Sequence, residues 1–97
     1  MVESIKLSDE EINKKVAKMD GWSLKNGHLV KEFSFSDFDA AIQFVNSLAI
    51  IAEKQNHHPD IHIYYHKVAL EYWTHSAGGL TVKDFEAAQT IEKEHAN

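Results

Sequence analysis

The feature that most constrains this chain is a change of period across Pro59, its only proline. Before it, Phe38, Ala41, Ile42, Val45, Leu48, Ala49 and Ala52 recur at helical spacing, and Phe44, Ile50 and Ile51 widen the stripe. After it, Ile61–Tyr65 and Val68–Thr74 are rich in β-branched and aromatic residues, with Val68, Leu70 and Tyr72 alternating with Ala69, Glu71 and Trp73. A helix-period stripe does not settle into a sheet, nor an alternating one into a helix. The spacing therefore predicts a long helix over about 37–55, capped by Ser36, with Asp39 at its third position. Pro59 is read as its stop, because the residue before a proline disfavours the α region. Few polar residues interrupt the stripe, so this helix is expected to be covered on more than one side.

The remaining punctuation completes the order. Ser8 followed by Glu11 makes a capping box, closed over by Leu7 and Ile12, and opens a first helix over about 9–18 that Gly21 ends. Asn26-Gly27 is the strongest short hairpin signal, since both central residues of a type I′ turn need positive φ, and it joins strands at Trp22–Lys25 and His28–Phe33. His66-Lys67 is read as the second hairpin turn and Gly78-Gly79 as a further one. Leu80-Thr81-Val82-Lys83-Asp84-Phe85 repeats the cap-and-staple pattern and opens a last helix to about 94. The result is αββαββα, an α+β two-layer sandwich with a four-stranded antiparallel sheet and three helices on one face. One domain over 1–97 is expected, with sheet edges to protect.

Composition narrows the function classes. Ten Lys and Arg against fifteen Asp and Glu leave a formal charge of −5, which argues against direct binding to a nucleic-acid backbone. With no cysteine, disulfides, thiolate zinc sites and cysteine nucleophiles are excluded. No apolar run approaches a membrane span, and MVESIKLSDEE lacks the features of a signal peptide, so a cytoplasmic protein is expected.

The chemistry concentrates in Glu53-Lys-Gln-Asn-His57-His58-Pro59. Glu53 falls in the last turn of the long helix, and His57 and His58 at its exit. His75 follows the fourth strand, and Asp84 lies in the first turn of the last helix. In this topology a helix exit and a neighbouring strand end can meet at one rim of the sheet. Imidazole alone exchanges protons near neutrality with an unperturbed pKa, about 6.5, so a pair can divide the roles of acid and base. A carboxylate such as Glu53 can fix a tautomer. Such a set suits a dehydration. Plainer readings stand beside it. Asp84 suits a helix start for its charge alone. His28, His62, His66 and His95 read as surface or turn residues. A histidine metal site is the sharpest rival, although adjacent histidines diverge on extended chain. Trp73, on the same strand face as His75, is the aromatic best placed to meet a substrate.

The run Glu53…His57-His58-Pro59, with Lys67-Val68, Thr74-His75, Gly79-Leu80-Thr81 and Asp84, resembles the pterin-4a-carbinolamine dehydratases over nearly the whole chain. The resemblance implies dehydration of 4a-hydroxytetrahydropterin to quinonoid dihydropterin, a step in tetrahydrobiopterin recycling. It implies His57, His58 and His75 as catalytic, Glu53 and Asp84 in support, Pro59 and Trp73 beside the pterin, and no metal or organic cofactor. It also implies homodimers formed by joining sheets edge to edge, or homotetramers through helices. Ile61 and Trp73 depart from the family's usual aromatic and small hydroxyl residues. The alternative role is a protein-interaction module that stabilises a transcription-factor dimer.

Overall fold

The computed structural model describes residues 5–95. Its elements are α1 (Asp9–Val16), β1 (Ser23–Lys25), β2 (His28–Ser34), α2 (Phe38–Gln55), β3 (Asp60–Tyr64), β4 (Lys67–Tyr72), a single 3-10 turn (His75–Ala77) and α3 (Val82–His95). The four strands form one antiparallel sheet in the order β1-β2-β4-β3. The α+β order read from the sequence holds. Among the described residues, no helix is long and apolar enough to cross a membrane.

Helix α1 starts as its local chemistry dictates. The Ser8 amide donates to Glu11 Oε1 at 3.0 Å, and the Glu11 amide donates to Ser8 Oγ at 3.2 Å. Buried Ile12 and partly buried Leu7 close over that turn. The helix ends at Val16, two residues earlier than its periodicity predicts, and Met19 still packs on the core from the turn that follows. At the first hairpin Asn26 (φ 53°) and Gly27 (φ 80°) both take the positive φ that a type I′ turn requires.

Alternation then sorts the sheet into two faces. Leu29 and Phe33 of β2 and Val68, Leu70 and Tyr72 of β4 are buried together, in register Leu29↔Tyr72 and Phe33↔Val68. Ile12 of α1, Ala41 and Leu48 of α2, and Phe85, Ala88 and Ile91 of α3 complete that core, so the helices lie on one face. Glu71, and Trp73 just beyond β4, alternate with Tyr72 and belong to the other face, as does His28.

Three local expectations change. The N-cap of α2 is Asp37, not Ser36: its Oδ1 accepts from the Ala40 amide at 2.8 Å. A carboxylate caps as well as a hydroxyl and also favours the positive helix end. Asp39 instead accepts from Gln43 one turn on. The end of α2 is set before Pro59, by Asn56 in the left-handed conformation (φ 52°, ψ 41°). The second hairpin turn is Tyr65-His66, one residue earlier than expected, because Tyr64 pairs with Lys67. Tyr65 takes φ 56° there, a strained choice for an aromatic residue. The Phe35 amide donates to the His66 carbonyl at 2.9 Å and ties the turn down.

Nor is α2 covered all round within one chain. Ala41, Leu48 and Ala52 are buried, while Phe38 and Ile50 are 51% and 60% exposed. A cleft of about 600 Å³ runs between α2 and α3, lined by Phe44, Ile51, Gln55 and Ile91 among others.

Candidate active site

The exit of α2 delivers the first imidazole. The Asn56 amide donates to the Glu53 carbonyl at 3.2 Å and the His57 amide to the Ala52 carbonyl at 3.1 Å. This is a Schellman arrangement, in which asparagine takes the left-handed position that glycine usually holds. It turns the chain sharply and sends His57 back toward the sheet. The His57 ring lies parallel to the ring of Tyr72, 5.7 Å between centroids and 11° between planes. Its side chain is only 11% exposed.

Opposite it stands Asp84, which is completely buried. The Oδ1 of Asp84 is 2.6 Å from His57 Nε2. The Oδ2 accepts from the Thr74 hydroxyl at 2.8 Å and from the Thr81 amide at 2.9 Å. With the Thr74 proton committed to Asp84, the Thr81 hydroxyl donates to Thr74 Oγ1 at 2.9 Å and itself accepts from the Lys83 amide at 3.2 Å. Every donor in this chain points toward the carboxylate. A carboxylate is an acceptor, so His57 donates from Nε2, and in the neutral ring the lone pair then lies on Nδ1. The resemblance implies a supporting place for Asp84, and both of its oxygens are occupied inside the protein.

Tyr72 is the other side of this environment. Burial first, and the Asp84 charge second, push its phenol well above the ordinary value near 10. Its hydroxyl has no hydrogen-bond partner among the described residues.

The two other expected histidines are held separately. His58 Nε2 lies 2.6 Å from Glu53 Oε2, and both side chains are largely exposed. By the same reasoning Glu53 accepts from Nε2 and leaves Nδ1 of His58 open. His75 opens the 3-10 turn beyond β4 and is exposed. Its ring meets Trp73 at 4.2 Å between centroids, tilted by 49°. Trp73 in turn stacks on His28 at 4.7 Å and 16°. The His28 Nδ1 donates to Glu71 Oε2, and His62 Nε2 stands 3.9 Å from Glu71 Oε1. Pro59 joins the His57-His58 pair to β3.

Sequence reasoning brings out the three histidines but not the groups behind them. Thr74, Thr81 and Tyr72 around His57 are missed, as are His28 and Glu71 behind Trp73. The Thr-x-x-Asp spacing at 81–84 was a usable signal for the first group. The second depends on β2–β4 register, which no short motif encodes. Among the described residues, no three His, Asp or Glu side chains are grouped so as to hold a metal ion.

Comparison with known proteins places the chain in a family. The family model described as Pterin 4 alpha carbinolamine dehydratase matches residues 5–94. A protein of Sulfolobus acidocaldarius, provisionally named pterin-4-alpha-carbinolamine dehydratase, is 44% identical over 89 residues, which are 92% of this chain and 98% of that one. One from Nostoc sp., with the same provisional name, is 49% identical over 90% of this chain and 94% of its own. A crystal structure from Brucella melitensis, described as a transcriptional coactivator/pterin dehydratase, superposes with a TM-score of 0.86 at 31% identity, covering 91% of this chain and 96% of that one.

Proposed function

The chain belongs to the pterin-4-alpha-carbinolamine dehydratase family, and on that premise we propose that it dehydrates 4a-hydroxytetrahydropterin to quinonoid dihydropterin in tetrahydrobiopterin recycling. The observation that carries the mechanism is the hydrogen bond that buried Asp84 accepts from His57. A neutral imidazole with its Nε2 proton pinned offers Nδ1 as a base, and in this reading it takes the proton from pterin N5. The N5 electron pair then forms the C4a=N5 double bond while the C4a–O bond breaks. The His75 imidazolium protonates the departing hydroxyl, which leaves as water. His58, oriented by Glu53, is the second candidate acid. Glu53 and Pro59 are assigned to pterin contacts, and Asp84 acts through His57. No metal or organic cofactor takes part in this scheme.

Each proton transfer of this kind is worth roughly 10²–10⁴-fold. Following the loss of 4a-carbinolamine absorbance tests the reading: His57→Ala should lose activity by about that factor. Equal, background-level rates for wild type and His57→Ala would overturn it.

A second reading, a protein-interaction module, draws on the coactivator description of the Brucella melitensis relative. The uncovered apolar surface of α2 supports self-association in either case. So does the exposed edge strand β3, whose outer side is paired by no strand among the described residues and where Ile61, Ile63 and Tyr64 stand open. Joining at that edge would give a homodimer, and packing through α2 a homotetramer; light scattering of the purified chain distinguishes these from a monomer.

A further inference from the structure

The 3-10 turn that carries His75 is only three residues long, and the residue is exposed. A turn this short leaves an exposed ring free to change rotamer, and holding such a ring in one orientation costs side-chain entropy. A proton donor at a bond-breaking step needs a fixed direction, so whatever fixes His75 must come from elsewhere in the fold.

The open face of the sheet supplies it. Glu71 and Trp73 are two residues apart along the β4 chain and so share that face. His28 opens β2 on the strand paired with β4, next to the Leu29↔Tyr72 pair, which sets it beside Trp73. Three contacts then run in sequence. Glu71 accepts from His28 Nδ1, the His28 imidazole lies nearly parallel on the Trp73 indole, and the indole abuts His75. His28 and Glu71 are about three-quarters buried, so neither is a freely solvated surface group. With two imidazoles already packed on it, the indole is a poor platform for a flat substrate.

We propose that Glu71, His28 and Trp73 are positioning residues that hold the His75 imidazole from the open face of the sheet. This rests on the reading of His75 as the acid of the dehydration. It divides the labour at β4: Tyr72 supports His57 from the helix-covered face, and its neighbour Trp73 supports His75 from the opposite one. Misplacing a reacting group by about an ångström costs up to roughly a hundredfold, so loosening His75 should lower kcat while leaving pterin binding nearly intact.

The test combines kinetics with proton NMR of the His75 ring, whose resonance is displaced by an adjacent indole. For Trp73→Leu the expected result is a kcat lower by about tenfold, a KM within about twofold, and a His75 signal returned toward that of a free histidine. Trp73→Phe, which restores a flat ring, should recover most of the kcat. Glu71→Gln should move the His75 signal in the same direction with a smaller loss of kcat. If Trp73→Leu does not unfold cooperatively, Glu71→Gln and His28→Leu carry the test in its place. A raised KM with unchanged kcat would make Trp73 a substrate contact and overturn the proposal. So would an unmoved His75 signal at wild-type kcat. His75→Ala separates the two levels: full activity there would sink the acid assignment, whereas its inactivity beside a fully active Trp73→Leu would sink the positioning stack alone.

Discussion

Two helices in this molecule start with a carboxylate that reaches back to accept from the amide three residues before it, and they use that bond differently. At α1, Ser8 and Glu11 satisfy each other's amides on an exposed turn, and the exchange serves only the helix. At α3, Asp84 reaches back to the Thr81 amide in the same way, but completely buried. Its side chain is one methylene shorter than that of Glu11, and its second oxygen faces His57. A capping carboxylate on the surface stabilises a helix end. Once buried beside an imidazole, it also sets that imidazole's tautomer. Local sequence chemistry is therefore shared between the two sites, and burial decides which one meets an imidazole.

Asp84→Asn breaks the comparison most severely. The amide oxygen can still accept from Thr81 and Thr74, but the NH₂ turned toward His57 is a donor. His57 must then accept at Nε2 and carry its proton on Nδ1, which removes the proposed base. The expected loss in kcat is roughly 10²–10⁴-fold, with the fold retained by circular dichroism. Activity within threefold of wild type would show that the buried bond has no part in the chemistry.

Tyr72→Phe tests the same buried environment from its other side. The stacking with His57 survives, and the one atom removed is a hydroxyl with no partner. Leaving such a group buried costs about 1–3 kcal/mol, so the variant should unfold at higher urea by roughly 1 kcal/mol. The pH dependence follows from the raised phenol. A tyrosine whose folded pKa lies above its unfolded value binds its proton more tightly when folded. Its contribution is complete below about pH 10 and disappears as pH rises beyond that. Wild type should therefore lose stability on the alkaline side more steeply than Tyr72→Phe, and parallel alkaline curves would contradict the assignment.

The same contrast explains what could be read from the chain. Helix starts at Ser8 and Thr81 and the Asn26-Gly27 turn are legible because cap and turn chemistry involve residues within three or four positions. The switch from helix to strand follows from the period change at Pro59. Asp37 displaces Ser36 as cap because two adjacent residues had equivalent chemistry, and only packing chooses between them. Asn56 ends α2 ahead of Pro59 because a left-handed asparagine leaves little mark on the sequence. The proposed catalytic pair His57 and His58 stands out by its adjacency. Their supports do not: Asp84 meets His57 across 27 residues, and Glu71 meets His28 across 43. Both pairings depend on how α3 docks and how β2 registers with β4.

The smallest effect belongs to Glu11→Gln, the exposed counterpart of Asp84→Asn. Glutamine at the third helical position accepts from the Ser8 amide as glutamate does, so the capping geometry survives and only the charge is lost. Hydrogen bonding from the Ser8 amide, and then from its hydroxyl, holds the Glu11 carboxyl below its ordinary value. A carboxyl with a lowered folded pKa contributes stability that is present above its unfolded value near 4.5 and is lost as pH falls through the folded one. Glu11→Gln should thus match wild type in kcat at every pH and differ only by a shallower loss of stability on acidification, read from thermal midpoints between about pH 6 and 3. Because this carboxylate is screened by water, the difference should shrink in high salt. A change in kcat at neutral pH would mean that the α1 box communicates with the site, and the separation between an exposed cap and a buried one would no longer account for their different roles.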